Sequence, residues 1–322
     1  MAGTRSAGWV VARAPATSAN LGPGFDALGL ALEWRAEVRC ALAPDGLVVR
    51  AEGPAAQDLP RDGSNLVARA ARAVLAAAGH PDAGLRLHLG STLPVGRGLG
   101  SSAAAIAVGL TAANALLGDP LGMEELLRLG TAIEGHPDNL APALLGGVCA
   151  SAQGADGAVF ALPLPPPPGL AAMVAIPRRP LPTREARQVL PRTVAFADAV
   201  ANVQRASLLV AALATGRLDA LAAATADRLH QPYRARLLPG LEVCLRDALA
   251  AGALGAFLSG AGPSVLALVP AGREAPRVHE VLRRYATAQG GGEVRPLSLS
   301  ATGTTVSSCP PPPPHEGEQP FS

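Results

Sequence analysis

Residues 94–105 read Pro-Val-Gly-Arg-Gly-Leu-Gly-Ser-Ser-Ala-Ala-Ala, and few backbone paths satisfy that order. Gly96, Gly98 and Gly100 let the chain take positive φ and come close to another group. Ser101 and Ser102 lead into an alanine-rich run that predicts a helix from Ser101 to about Leu117. A helix start leaves N–H groups unpaired and carries the positive end of the macrodipole. The stretch therefore builds an anion site whose expected guest is a phosphate chain. A plain glycine turn before a buried helix is the bland alternative, and the serine pair weighs against it. A Walker A loop is excluded, because that motif needs Lys after the glycines. All 27 basic residues here are Arg, and Lys is absent. No acidic residue sits at ribose-binding distance, so the dinucleotide fingerprint is excluded too.

The surrounding chain must bury this loop in a fold. With 322 residues, 49% hydrophobic content and a mean hydropathy of +0.26, a well-buried core is easily supplied. Aromatics are only 3%, so Ala, Leu and Val must build it. A net charge of +2 is too balanced for a nucleic-acid partner held by phosphate neutralisation. Cys40, Cys149, Cys244 and Cys309 show no Cys-x-x-Cys spacing, which argues against a zinc site or redox pair and for a reduced, cytoplasmic protein. The N-terminus is too weakly apolar for a signal peptide. Residues 101–118 and 252–272 are uncharged and reach bilayer length. The first is mostly Ala, Gly, Thr and Ser, and the second is broken by Gly260, Gly262 and Pro263. Both are expected to be buried elements, with no membrane partner.

Patterning predicts strands at 8–13, 84–90, 170–176, 253–258, 264–269 and near 293–300. Helices are predicted at 64–79, 123–134, near 183–190, and at 194–214, 217–229, 240–251 and 273–288, with another opening near Asn139. Ser64 is the expected N-cap of the first, and Gly79 its stop. The prolines at 163–168 mark a junction between two lobes, 1–162 and 163–306. Residues 307–322 hold a proline run and are expected to be a disordered tail whose removal leaves stability unchanged. The mixed element order says α+β.

Four further segments carry chemistry. Residues 14–26 end in Asn-Leu-Gly-Pro-Gly-Phe-Asp, a tight turn with Asn20 and Asp26 on either side. Residues 134–139, Glu-Gly-His-Pro-Asp-Asn, gather acid, imidazole and amide. Taken alone they also suit a capping loop. Thr183 and Arg187 lie i,i+4 on a predicted helix and share a face. Arg234 sits in His-Gln-Pro-Tyr-Arg.

The glycine loop resembles the central motif of the GHMP kinases, named for galactokinase, homoserine kinase, mevalonate kinase and phosphomevalonate kinase. Every fixed position of Pro-x-x-x-Gly-Leu-Gly-Ser-Ser-Ala is matched. The resemblance implies a two-lobed α+β fold. Its N-terminal lobe has a left-handed βαβ unit, and its C-terminal lobe is ferredoxin-like. It implies ATP held by Pro94, Val95, Gly96, Gly98, Leu99 and Gly100, then by Ser101, Ser102, Ala103 and Ala104. Arg97 fills a variable slot, facing phosphate or solvent. Gly260 and Gly262, in Ser-Gly-Ala-Gly-Pro-Ser, resemble the third family motif, and Asn65 matches a position that reads the adenine edge. Ser102 and Glu134 match the family's hydroxyl and acid for Mg²⁺. With Asn139, they are the residues to which the resemblance gives catalytic roles.

The segments around Asn20 and Glu134 are similar to the branch of the family that phosphorylates L-homoserine with ATP on the route to threonine. Asn20, Asp26, His136, Asn139, Thr183, Arg187 and Arg234 then become the substrate contacts. Asp26 would face the ammonium. Arg187 and Arg234 would clamp the carboxylate with their planar forks. The branch implies no dedicated general base, although His136 or Asp138 stand near. It leaves room for a homodimer. A kinase for another small alcohol, or a catalytically silent ligand-binding relative, are the competing readings.

Overall fold

Two β-sheets set the architecture, seen in a computed structural model that describes residues 8–312 apart from 54, 55, 58 and 92. The first half runs β1 (Trp9–Ala19), β2 (Leu28–Ala43), β3 (Leu47–Glu52), α1 (Leu66–Ala77), β4 (Gly84–Ser91), α2 (Ser101–Leu116), α3 (Met123–Glu134), α4 (Pro137–Leu145), β5 (Val148–Gln153) and β6 (Val159–Leu164). The second half runs β7 (Leu170–Pro177), α5 (Thr183–Gln188), α6 (Phe196–Thr215), α7 (Leu221–Ala224), α8 (Gln231–Arg234), α9 (Leu241–Ala250), β8 (Gly255–Leu258), β9 (Val265–Pro270), α10 (Pro276–Ala288), β10 (Gly292–Ser298) and β11 (Thr305–Cys309).

The first sheet has the order β11-β1-β2-β4-β3, with β5 on β2 and β6 on β5. Strands β3 and β4 are parallel and joined through α1, which makes the βαβ unit. The second sheet has the order β10-β7-β9-β8 and is antiparallel throughout. Numbered within the lobe, that order is 4-1-3-2, the ferredoxin-like arrangement. Alternation along its strands serves two cores. Val174, Leu266 and Leu268 pack toward the first sheet, while Met173, Ala175, Val265 and Ala267 pack with residues of α9 and α10.

Small residues bring α2 deep into this core. Ala103, Ala104, Ile106, Ala107 and Leu110 are fully buried. A Cβ on Gly109 would come within 2.5 Å of the Val67 carbonyl oxygen, so α1 and α2 pack almost backbone to backbone. Both suspected membrane stretches are interior: 101–116 is this helix, and 252–272 contains β8, its turn and β9. Among the described residues α6 is the one helix long and apolar enough to cross a bilayer. It is stitched to the body by buried Asn202, which donates to the Pro23 carbonyl at 3.2 Å and to Asp227 at 2.8 Å.

Three expectations need correction. The cap of α1 is Asn65, not Ser64: its Oδ1 accepts from the N–H groups of Val67 and Ala68 at 2.9 and 3.4 Å. The predicted helix at 217–229 shrinks to a short turn and the single helical turn α7, where Thr225 ends it. The third concerns the tail. Residues 307–309 are strand, completing β11, which pairs antiparallel with β1 through Trp9↔Cys309, Val10↔Ser308 and Val11↔Ser307. Composition missed this because a short edge strand of Thr, Val and Ser gains its order from its neighbour. The same return of the chain places the end of the second segment in the first sheet. Residues 313–322 lie outside the described residues. Cutting the chain after Val306 removes those three pairings and should lower Tm by about 2–8 °C. Calorimetry checks it, and an unmoved Tm would mean that β11 contributes nothing to the fold.

Candidate active site

The glycine loop delivers what its composition promised. Gly96, Gly98 and Gly100 have φ of 69°, 74° and 63°, values that carry no penalty only in glycine. Helix α2 has Gly100 as its N-cap, with no side-chain cap and no acid in its first turn. Its N–H groups are therefore left for an anion. The loop is clamped from outside. Ser259 Oγ donates to the Gly98 carbonyl at 2.6 Å, and the Thr17 N–H donates to that of Leu99 at 3.1 Å. A Cβ on Gly98 would lie 2.2 Å from the Ser259 carbonyl oxygen and 2.9 Å from that of Gly262. Both are backbone atoms of the 259–264 turn, so nothing there can rotate away. Gly98→Ala should cost about 1–3 kcal/mol of stability and raise the KM for ATP. An unshifted melting curve would show that the two loops part easily.

Helix α3 ends by placing Glu134 beside this helix start. Ser102 Oγ donates to Glu134 Oε1 at 2.5 Å. Burial pushes the Glu134 carboxyl pKa up, although the Ser102 hydrogen bond and the His136 charge pull it back. His136 then sits at the N-cap of α4 with Nδ1 2.6 Å from Asp138 Oδ1. Burial opposes protonation of that imidazole. The hydrogen bond and charge of Asp138 outweigh it and leave the pKa above its ordinary value. Asn139 Oδ1 accepts from Thr17 Oγ1 at 2.9 Å, within reach of Gly100.

The far end of the site is charged. Asp26, at φ 56°, accepts from both terminal nitrogens of Arg187, at 3.0 and 2.6 Å. Arg234 is almost wholly buried on α8 and donates to the carbonyls of Ala186 and Gly260 at 3.2 and 2.9 Å. Burial, reinforced by the charge of Arg187, lowers its pKa to about 10. It stays a cation at neutral pH, held at a cost that an anion would relieve. Asn20 spends its amide on the frame, donating to Gly260 and accepting from the Asp26 N–H, both at 3.0 Å.

These groups face one cavity of about 240 Å³. Gly96, Gly98, Gly100, Ser101 and Ser102 form one wall; Glu134, His136 and Asn139 another; Asn20, Asp26, Thr183, Arg187, Arg234 and Gly260 close the far side. A second cavity of about 270 Å³ shares Val95, Ser101 and Ser102 with it and is otherwise mainly apolar, lined by Leu66, Val67, Leu93 and Val108 among others. Asn65 lines this second cavity; its Oδ1 caps α1 and one of its two Nδ2 hydrogens goes to the Pro60 carbonyl at 2.7 Å. Arg97 folds back onto the carbonyls of Val95 and Arg178, away from the loop interior. Leu99, Ala103 and Ala104 bury their side chains in the core, so only their backbone can serve a ligand. Pro94 and Gly262 are outside the walls of the first cavity, where they shape the two loops. Asp138 lines the cavity although the motif reading gave it no contact. Phe25 and His230, behind the arginines, gave no signal in sequence beyond their place next to motif residues.

Comparison with known proteins agrees with this geometry. The GHMP kinases N terminal domain family matches residues 65–147, and the GHMP kinases C terminal family matches residues 209–288. A homoserine kinase of Moorella thermoacetica is 48% identical over 257 residues, covering 79% of this chain and 86% of that protein. One of Thermus thermophilus is 44% identical over 286 residues, covering 88% and 94%. The crystal structure of homoserine kinase from Cytophaga hutchinsonii superimposes with a TM-score of 0.85 at 30% identity, covering 95% of this chain and all of that one. An L. major mevalonate kinase, at 19% identity and a TM-score of 0.67, shares the fold. The two-sheet architecture and the two matched domain models define the GHMP class. The chain belongs to the GHMP kinase family and, within it, to the homoserine kinases.

Proposed function

We infer that this chain transfers the γ-phosphoryl group of ATP to the side-chain hydroxyl of L-homoserine, releasing ADP and O-phospho-L-homoserine on the route to threonine, in the cytoplasm. One observation carries the reading. The phosphate loop, the Glu134–Asn139 segment and the Asp26–Arg187–Arg234 cluster open into the same cavity, next to an apolar one suited to a base. Homoserine is a zwitterion with a primary hydroxyl. Asp26 and Arg187 are paired with each other. An entering ammonium and carboxylate can take over both partners, with Arg234 behind them supplying a second fork.

Ser102 Oγ and Glu134 Oε1 form an oxygen-only donor set. That fits Mg²⁺, which takes one or two protein oxygens with phosphates and water. Bound there with the nucleotide, it would neutralise phosphate charge. The protein's own contribution is positioning: the helix start fixes the phosphates and the charged cluster fixes the alcohol, so the hydroxyl meets the phosphorus in line. Asp138 is paired with His136 at 2.6 Å, and that carboxylate holds the imidazole pKa above its ordinary value. Neither is placed as a free base, and the hydroxyl proton can pass to the transferred phosphate.

Homoserine-dependent release of ADP tests the reading, with mevalonate as the control alcohol. Mevalonate lacks the ammonium and would leave Asp26 without its ligand partner. Turnover of mevalonate but not homoserine would overturn it.

A further inference from the structure

Behind the cluster that faces homoserine lies a buried imidazole. His230 has no exposed surface. Its Nε2 is 2.8 Å from the Gly22 carbonyl oxygen, and its Nδ1 is 3.1 Å from Nη1 of Arg234. A carbonyl can only accept and a guanidinium can only donate. The tautomer is therefore fixed, with Nε2–H donating to Gly22 and Nδ1 accepting from Arg234. Burial lowers the imidazole pKa below its ordinary value, against the pull of Asp227.

The neighbours hold this arrangement in place. Asp227 accepts from the N–H groups of Leu229, His230 and Gln231 at 2.9, 3.0 and 2.7 Å, so the His230 backbone cannot drift. Phe25 stacks on the imidazole with centroids 5.2 Å apart. The same ring lies 5.4 Å from the Arg234 guanidinium carbon and 5.6 Å from that of Arg187, and acts as a spacer between two like charges. A Cβ on Gly22 would meet the Thr225 carbonyl oxygen at 2.1 Å, so the turn carrying Phe25 and Asp26 is pressed against the segment that carries His230. Arg234 has Nε and Nη1 bonded to the frame. Its Nη2 has no hydrogen-bond partner among the described residues, and the residue lines the cavity.

We propose that His230 is a positioning residue for the amino-acid site: as a neutral imidazole it bridges the turn that carries Asp26 to the guanidinium of Arg234, and so fixes the two poles that receive the ammonium and the carboxylate. The inference rests on the homoserine reading above. It assigns His230 no contact with the substrate and no proton transfer. Its effect belongs to homoserine and leaves ATP untouched.

His230→Phe keeps a ring and removes both nitrogens, while His230→Asn returns an acceptor near Nδ1. Initial rates are measured with each substrate varied. His230→Phe should raise the KM for homoserine about tenfold or more, as loss of a hydrogen bond to a charged group requires, with the KM for ATP within about twofold. His230→Asn should recover part of the loss. In an Arg234→Met background, His230→Phe should change the homoserine KM by a smaller factor than in the wild type, because the two act through one contact. Equal factors in both backgrounds, or homoserine and ATP constants rising together, would overturn the proposal. Should His230→Phe fail to fold, His230→Asn decides alone: a homoserine-only shift supports the bridge, and a shared or absent shift refutes it. A wild type that releases no ADP with homoserine would instead sink the functional reading, and this inference with it.

Discussion

Glu134→Gln should lower turnover by about a hundredfold or more, the scale seen when one electrostatic partner of a developing charge is removed, while the fold is held or strengthened. Gln keeps the shape and an oxygen that Ser102 Oγ can reach, so packing is preserved. The buried negative charge is lost, and with it the acid that fits Mg²⁺. The sign of the stability effect follows from the raised pKa. A carboxyl with a higher pKa in the folded state binds its proton more tightly there than in the unfolded chain. The stability tied to that proton is fully present below the unfolded value and is lost as pH rises through the folded value. At neutral pH the wild type therefore carries the cost of burying an acid that is ionised in the unfolded chain, and the variant does not. Without nucleotide, the variant's Tm at pH 7 should equal or exceed the wild type's, and the difference should vanish on acidification below the ordinary carboxylate range. Near-normal turnover at limiting Mg²⁺ would remove Glu134 from the metal role. A lower Tm at pH 7 would mark it as scaffold.

Arg187→Met should raise the KM for homoserine about 10- to 100-fold, because a charge-assisted fork is lost. The KM for ATP should stay within about twofold, since the lost contact is on the amino acid alone. Arg187 is the better probe of the carboxylate clamp than Arg234. Among the described residues its side chain hydrogen-bonds to Asp26 alone, and both side chains are about one-third exposed, at 37% and 36%. Arg234→Leu should show the same split between substrates but also lose stability. It would strip donors from the buried carbonyls of Ala186 and Gly260 and from His230. Steady-state kinetics on both variants, with melting curves alongside, separate the two effects. If Arg187→Met moves the ATP constant as much as the homoserine constant, Arg187 belongs to the phosphate side.

Much of this site could be read along the chain, for a local reason. A helix that must start with open N–H groups needs glycine and small residues within a few positions. Gly96–Ser102 supplies that whatever lies elsewhere. Strand and helix positions with strong period, such as β4, α2, α3 and β7, were legible for the same reason. The capping of α1 by Asn65 rather than Ser64 is not legible in the sequence, because it depends on Pro60, Val67 and Ala68 surrounding that amide. The strand at 307–309 is not legible in the sequence, because an edge strand exists only against its partner β1. Strands β5 and β6 escaped notice, since their Ala-, Pro- and Ser-containing segments show little alternation.

The sequence by itself determined the phosphate loop and the mixed α+β class, both written in short-range spacing and residue chemistry, and its motifs carry the family resemblance that singles out Asp26, Arg187 and Arg234. Tertiary structure alone decided how those charges are wired. Asp26 meets Arg187 across 161 positions, Asn20 meets Gly260 across 240, and His230 meets Gly22 across 208. Such pairings carry no local period, since they depend on where the second sheet lays its 259–264 turn and α8 against the first. Burial there sets the pKa of Glu134 and Arg234, because the cost of a charge depends on what surrounds it and not on its neighbours in the chain.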